Sequence, residues 1–123
     1  MGIFTVPLHV ADLPGYRYVE VQALVDTGAS HCAFPASLLR DLGIEVSDRG
    51  EFRFADDRQR TFDIGTARIR LEGREKFIDV VFADEDTLPL LGAIALETFR
   101  LAVDPLGKRL IDAPGVFAQF DPT

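Results

Sequence analysis

The chain has 123 residues, of which 47% are hydrophobic, so it can bury a proper core and is predicted to form a single domain over residues 1–123. Its 13 basic and 20 acidic residues give a formal charge of −7. Because no concentrated basic stripe is present to neutralise phosphates, neither a nucleic acid nor an anionic membrane surface is an expected partner.

The first half of the chain is predicted to contain strands that lead to a polar loop and a short helix. Residues 3–10 are rich in β-branched and aromatic types, and residues 18–25 alternate apolar and polar side chains. The alternation ends in a wholly apolar run, which indicates a strand that enters the core. The small, polar segment 26–30 follows, and residues 37–43 favour a short helix that ends at Gly43.

The second half is predicted to consist of two hairpins, a short helix and a final strand pair. Segments 51–54 and 61–64 alternate on either side of the polar run 55–60, which predicts a hairpin with a projecting, charged tip. The remaining predicted elements are strands 67–71 and 77–82, a helix over 93–99, and strands 101–103 and 109–111. Many short strands separated by turns predict an all-β barrel or sandwich.

The cysteine content and the two ends of the chain bear on its compartment. A single cysteine, Cys32, excludes an intrachain disulfide and fits a reducing compartment. The N-terminal segment lacks the basic and long apolar regions of a secretion signal, and no apolar run approaches the roughly 18 residues of a membrane span. We therefore expect a cytoplasmic protein. Its tail is expected to dock through the apolar residues Val116, Phe117 and Phe120.

The segment 26–30 is the one that indicates chemistry. Asp26 follows a buried strand, where desolvation would raise the pKa of its carboxyl unless partners hold the charge. Thr27 supplies a hydroxyl that can fix the local backbone, and Gly28 permits a tight turn and a close approach of its amide to another group. Such a loop can present one carboxylate rigidly at the floor of a cleft.

One carboxylate is not enough to hydrolyse a peptide with an activated water molecule. The reaction needs a base that takes a proton and an acid that gives one, and two carboxylates about 3 Å apart can do both because they share a proton. The chain has a single Asp-Thr-Gly segment. If it works in this way, the second carboxylate must come from another copy across a two-fold axis.

Two segments in order carry a family resemblance. Asp26-Thr27-Gly28-Ala29-Ser30 after an apolar strand, and later Leu90-Leu91-Gly92 before a short helix, resemble the retropepsin-like (clan AA) aspartic proteases. The stretch 90–99, with Val103-Asp104-Pro105 after it, resembles the way in which small bacterial and archaeal members end. The resemblance covers about residues 15–112.

The resemblance implies roles for the residues of the first motif. Asp26 would be the catalytic carboxylate that pairs with its symmetry mate, and Thr27 would hydrogen-bond across the dimer. Gly28 would offer its carbonyl to the substrate backbone, while Ala29 and Ser30 would line the cleft.

The resemblance also implies a flap and a subsite wall. The hairpin tip, formed by Ala55, Asp56, Asp57 and Arg58, would close over the peptide and exclude water. Leu90-Leu91-Gly92 would run behind the Asp26 loop, with Leu91 or its neighbour Leu90 forming a subsite wall and Gly92 allowing a close backbone crossing.

The chain departs from its retroviral relatives at three places. They usually carry Asp where Ser30 stands and Arg where Ala93 stands, and both partners of that ion pair are missing here. Flap tips of relatives tend to be rich in glycine, whereas Asp56-Asp57 is stiffer and acidic. The departures bear on flap mobility and substrate preference rather than on the catalytic base.

The resemblance implies an all-β, single-lobe acid-protease fold: a closed β-barrel with one short C-terminal helix that assembles as a two-fold dimer. The expected function is that of a homodimeric aspartic endopeptidase that acts on peptides or proteins and needs neither a metal nor a cofactor. One alternative is a peptide-binding or dimerisation module without catalysis, which the charged flap tip favours. Another is a structural domain of a larger assembly that has no dimer cleft.

The same residues also have simpler interpretations. Asp26 could be a turn aspartate that caps its own backbone. His31 and Cys32 suggest metal or thiol chemistry, but His9 is the only other histidine and no zinc-site spacing is present, so Cys32 is interpreted as a small core residue. The acidic run 84–86 lacks the pattern of a calcium loop and is expected to be solvated.

Overall fold

The computed structural model describes residues 3–115, and β-strands make up most of them. No helix within this range is long and apolar enough to cross a bilayer. The tail residues that were expected to dock lie outside the described range. In chain order the elements are β1 (Thr5–Ala11), β2 (Tyr18–Val25), β3 (Cys32–Pro35), α1 (Ala36–Asp41), β4 (Val46–Arg53), β5 (Gln59–Leu71), β6 (Arg74–Ala83), β7 (Leu90–Leu91), α2 (Ala93–Phe99), β8 (Leu101–Asp104) and β9 (Arg109–Asp112).

Seven of the strands form one sheet in the order β1-β2-β7-β3-β6-β5-β4, and β8 pairs with β9 in a separate hairpin. β1 pairs with β2 along its whole length and also with β5, where His9 lies opposite Arg70. The pairings β1-β2-β7-β3-β6-β5 therefore return to β1. The pairs β2–β7 and β3–β6 are parallel, and the other pairs in this sheet are antiparallel.

The strands bury their apolar side chains in two clusters. In β1 the side chains of Val6, Leu8 and Val10 are buried while Thr5 and Pro7 are exposed, as the side-chain period of a strand requires. The main cluster contains the largest fully buried side chains, among them Phe34, Phe99, Leu39 and Ile69. A second, smaller cluster consists of Ala33, Ile64, Val81 and Ala83, with Phe52, Phe62 and Leu90 packed against it.

The all-β class is confirmed, and so are the helix predicted over 93–99, which is α2, and the strand pair after it, which is β8–β9. The helix predicted over 37–43 forms α1, so residues 3–115 contain two short helices rather than the single C-terminal one of the expected fold. The main differences from the sequence-based expectations are in β4, which begins at Val46 rather than at residue 51, and in β5. The two strands predicted over 61–64 and 67–71 are one strand, β5, that runs without a break through Gly65.

Gly65 explains why β5 continues where the sequence suggested a gap. A Cβ atom at Gly65 would lie 2.5 Å from the carbonyl oxygen of Glu45, so the missing side chain lets β5 pass close to the chain that leads into β4. The glycine therefore marks a close approach of two backbones and not the end of a strand.

Candidate active site

The loop that carries Asp26 is fastened to its surroundings by backbone hydrogen bonds. Just before the loop, the amide of Val25 donates to the carbonyl of Phe4 at 3.0 Å, and the amide of Asp26 donates to the carbonyl of Leu91 at 3.0 Å. The loop is closed by the amide of Ala29, which donates to the carbonyl of Asp26 at 3.2 Å. Asp26 is consequently fixed at the end of β2.

The carboxylate of Asp26 is held by its own loop. Its Oδ1 accepts a hydrogen bond of 3.0 Å from the amide of Gly28, and the residue is half-buried. A Cβ atom at position 28 would lie 3.2 Å from that oxygen, so glycine keeps this side of the carboxylate open. The arrangement presents a carboxylate in a single orientation.

The start of α2 supports the loop from behind. The amides of Ala93 and Ile94 donate to the carbonyls of Ala29 and Ser30 at 2.8 and 3.0 Å. A Cβ atom at Gly92 would lie 2.5 Å from the carbonyl oxygen of His31, so only glycine fits at this position. The close backbone crossing expected at Gly92 is therefore present in the structure.

A cleft of about 840 Å³ lies between this loop and the β4–β5 hairpin. The second cluster of the core forms its apolar base, and the hairpin forms one wall. Of the residues predicted for the site, the cleft is lined by Asp26, Gly28, Ala29, Ser30, Ala55 and Leu90. The structure thus brings together four residues of the first motif, one residue of the hairpin tip and one residue of the second motif.

The other predicted site residues lie away from the cleft. Thr27 is exposed on the loop and does not line the cleft. Leu91 is fully buried in the main cluster, so Leu90, and not Leu91, lines the cleft. The tip residues Asp56, Asp57 and Arg58 are exposed beyond the lining of the cleft.

The hairpin tip is a tight, charged turn. The amide of Phe54 donates to the carbonyl of Arg58 at 2.8 Å, and the amide of Asp57 donates to the carbonyl of Phe54 at 2.9 Å. Asp57 has a φ of 67°, in the left-handed region that favours glycine and that aspartate tolerates. Nε of Arg58 donates to the carboxylate of Asp56 at 2.7 Å, which ties the turn together.

An aromatic row extends from the floor of the cleft into the hairpin. The rings of His31 and Phe52 meet edge to face with centroids 5.1 Å apart, and Phe62 lies 5.9 Å from Phe52 and 6.3 Å from Phe54. His31 and Phe62 were not expected to line the cleft from the sequence, although both do so in the structure. The position of the Phe62 side chain depends on the pairing register of β4 with β5, in which Gly50 lies opposite Phe62. The local sequence does not give this register.

Arg60 and Asp84 form the main ion pair of the cleft. Nη1 and Nη2 of Arg60 donate to the two carboxylate oxygens of Asp84 at 2.7 and 3.1 Å, and the guanidinium lies 4.6 Å from the ring centroid of Phe62. The hydrogen bond from Arg60 lowers the pKa of the Asp84 carboxyl, and the same bond raises the pKa of Arg60. The sequence assigned neither residue to the site.

The residues next to the Asp26 loop do not form a metal site or a reactive thiol. Among residues 3–115, no three His, Cys, Asp or Glu side chains are grouped so that they could hold a metal ion. The side chain of Ser30 is hydrogen-bonded to Nδ1 of His31 at 2.8 Å. Cys32 is buried, and burial raises the pKa of its thiol to about 11.

The family of the chain follows from its sequence. The gag-polyprotein putative aspartyl protease family matches residues 17–98, which include both motifs, and the chain belongs to this family. The resemblance to retropepsin-like aspartic proteases is thereby confirmed. No curated protein matches the chain in sequence.

Solved structures of aspartic proteases and related domains share the fold. The retroviral protease-like domain of Ddi1 from Leishmania major has a TM-score of 0.57 and 18% identity, over 91% of this chain and 89% of that one. The simian foamy virus protease has a TM-score of 0.53 and 17% identity, over 76% of this chain and 94% of that one. A retropepsin-like aspartic protease from Rickettsia conorii has a TM-score of 0.50 and 21% identity, over 84% of this chain and 86% of that one.

Proposed function

We propose that the protein is a homodimeric aspartic endopeptidase in which two Asp26 carboxylates, one from each subunit, activate a water molecule. The observation that supports this most directly is the placement of Asp26. Backbone hydrogen bonds hold the Asp26 loop, which places its carboxylate at the floor of a cleft. The chain also belongs to a family of putative aspartyl proteases.

The proposed reaction uses one ionised and one protonated carboxylate. The ionised group takes a proton from water as the water oxygen attacks the peptide carbonyl, and the protonated group stabilises the oxygen on which negative charge develops. The carboxyl group that took the proton from water then gives it to the amide nitrogen of the tetrahedral intermediate, and the C–N bond breaks. The products are an amine and a carboxylic acid, and the pair is again left with one proton. No metal or cofactor enters the scheme.

The proposal includes a closed barrel and a two-fold dimer. The pairing of β1 with both β2 and β5 supports the barrel. The dimer is inferred from chemistry, because one chain supplies one Asp-Thr-Gly loop and the mechanism needs two carboxylates. Thr27 is exposed on that loop, where a hydrogen bond to a second subunit is sterically possible.

The substrate is proposed to be an extended peptide that adds to the hairpin as a strand. Among the described residues, β4 is paired only with β5, and its residues from Gly50 onward line the cleft. A peptide strand in the cleft can therefore hydrogen-bond to the flap while alternate side chains enter the apolar base. The flap is proposed to close over this peptide, and its tip to contact the ligand through Asp56, Asp57 and Arg58.

A second candidate is a peptide-binding module without catalysis. The tight turn at Asp57 and the Asp56–Arg58 pair favour it, because they restrain the tip that must move in a working flap. Such a module would bind peptides and leave them intact.

The deciding experiment replaces Asp26 and compares the variant with a matched turn aspartate. Asp26→Asn is expected to lower kcat/KM on fluorogenic peptides by about 10³-fold or more, since asparagine can neither take nor share the proton. Asp12 is the control, because its Oδ1 also accepts backbone hydrogen bonds, from Tyr16 at 2.8 Å and Arg17 at 3.3 Å. Asp12→Asn should retain activity.

Circular dichroism and sedimentation of both variants test whether folding and assembly are unchanged. We expect the activity of the unmodified protein to rise and fall on the acid side of neutrality, because the pair acts only while it holds a single proton. Cleavage by Asp26→Asn at the unmodified rate would contradict the proposal. Peptide binding without cleavage by the unmodified protein would favour the second candidate.

A further inference from the structure

We propose that Arg60 determines substrate specificity by selecting a side chain with an apolar stem and a hydrogen-bond acceptor at its end, glutamate or glutamine, and by disfavouring lysine and arginine. The inference rests on the proposed function only in that the cleft is taken to hold a peptide. It concerns a residue outside both sequence motifs.

The position of Arg60 is fixed from two sides. Asp84 accepts hydrogen bonds from both Nη atoms, and Cζ of the guanidinium lies over the ring of Phe62, 4.6 Å from its centroid. Asp84 belongs to the turn after β6, and the next residue, Glu85, accepts hydrogen bonds from the amide and the hydroxyl of Ser37. The ion pair therefore connects the flap strand β5 to a turn that is itself attached to α1.

The guanidinium keeps donors that the protein does not use. It has five N–H groups, and among the described residues its hydrogen bonds go to Asp84 alone. Two N–H groups are engaged there, which leaves three for another partner. Arg60 lines the cleft, and its side chain is 46% exposed, so a ligand in the cleft can reach these donors.

The surface around Arg60 defines the rest of the ligand. Ile64, Val81 and Ala83 line the cleft beside it and offer no side-chain hydrogen bond. A side chain that packs methylene groups on this surface and ends in an acceptor satisfies both features, whereas a lysine or arginine would bring a second cation toward the guanidinium.

The expected preference is opposite to the one that the net charge predicts. A chain with a formal charge of −7 attracts basic peptides in general. A preference for glutamate over lysine at one peptide position therefore points to a local cation. The hydrogen bond from Arg60 lowers the pKa of Asp84 from its ordinary value of 3.8, so both partners of the ion pair are charged at pH 6.

The test measures peptide binding to the Asp26→Asn protein, so it does not depend on cleavage. Peptides that differ at a single position, occupied by Glu, Gln, Leu or Lys, are scanned along the length of the ligand by fluorescence anisotropy at pH 6, where glutamate is ionised. At one position we expect Glu and Gln to bind about fivefold more tightly than Lys.

Two substitutions added to this protein should shift the preference in opposite directions. Arg60→Met keeps an apolar stem over Phe62 but leaves Asp84 uncompensated, so the Glu-to-Lys affinity ratio should fall below one. Asp84→Asn leaves the charge of Arg60 uncompensated, so the ratio should rise and Glu should bind more tightly than Gln. A purely structural role of the pair would change the ratio in neither direction.

Arg49→Met is the matched control, because Arg49 pairs with Asp63 at 3.2 Å on the same hairpin and does not line the cleft. In this control, the ratio of the affinities for the Glu and Lys peptides should equal the ratio measured for the Asp26→Asn protein. Any of three results would overturn the inference. The Glu-to-Lys affinity ratio could be unchanged in Arg60→Met, or it could shift in the same direction in Arg60→Met and Asp84→Asn. The third result is that no peptide position shows a preference between Glu and Lys. Failure of the unmodified protein to cleave these peptides would contradict the proposed function alone.

Discussion

His31 and Cys32 are neighbours in the chain with opposite environments. His31 lines the cleft, whereas the side chain of Cys32 is 1% exposed and belongs to the main cluster of the core. This arrangement agrees with the expectation that adjacent residues of an extended chain face opposite sides. It also agrees with the interpretation of Cys32 as a small core residue, because burial raises the pKa of its thiol.

The thiol of Cys32 should react slowly in the native protein. Burial restricts access and holds the pKa at about 11, so little thiolate is present at pH 7.5. We expect iodoacetamide to modify the native protein at least about 100-fold more slowly than the protein in 8 M urea, as followed by mass spectrometry. Comparable rates in the two states would show that Cys32 is accessible in the folded chain.

Between elements, the critical contact is the crossing of the β7–α2 connection behind the Asp26 loop. The carbonyl of Leu91 and the first amides of α2 hold the loop, and Gly92 lets the two backbones approach. The position of Asp26 therefore depends on a segment far away in the sequence.

Gly92→Ala should lower the free energy of unfolding by about 3 kcal/mol, because the added Cβ atom would meet backbone atoms of His31, which cannot move without shifting the loop. Urea denaturation measures the change. The control is Gly50→Ala, whose Cβ atom would meet the mobile end of Ile64 at 2.9 Å and should have a clearly smaller effect. Equal effects of the two substitutions would contradict the interpretation of Gly92 as a backbone crossing.

The strands and the two motifs could be predicted from local sequence, whereas much of the cleft could not. β2 spans the predicted residues, and the Leu90-Leu91-Gly92 segment lies behind the Asp26 loop as expected. Alternating apolar and polar side chains reveal such strands, because one side of each strand is buried. The start of β4 was missed, because its burial pattern is exposed throughout its first residues.

The residues Arg60 and Phe62 were missed for a different reason. Both follow the polar tip, and their position in the cleft depends on the pairing register of β4 with β5 and on the distant Asp84. Such contacts arise from tertiary structure and leave no mark in local composition. The roles proposed for Asp26, Thr27 and Gly28 stay predictions from the family resemblance.

For the molecule as a whole, the proposal is that one chain is half of an enzyme. The proposed mechanism needs two carboxylates, and each chain provides one loop of the required kind. The catalytic unit and the unit of folding would then differ, and activity would depend on protein concentration.

Mixing experiments should reveal this dependence. If subunits exchange at random and both carboxylates are required, activity per unmodified subunit equals the fraction of unmodified subunits. An equal amount of Asp26→Asn protein should therefore lower the activity per unmodified subunit to about half of its value without the variant. A ninefold excess should lower it to about one tenth. Activity that stays constant as the variant is added would indicate catalysis within one chain, provided that sedimentation shows exchange between the subunits.

The fastening of Asp26 by Leu91 has a consequence for a chain that is still being synthesised. Residue 26 leaves the ribosome before its partners in β7 and α2, which emerge only after β3 to β6 have been translated. Until then the loop lacks the hydrogen bonds to Leu91, Ala93 and Ile94 that support it from behind. Under the proposed function, a nascent chain would therefore lack a completed active site until β7 and α2 have been made.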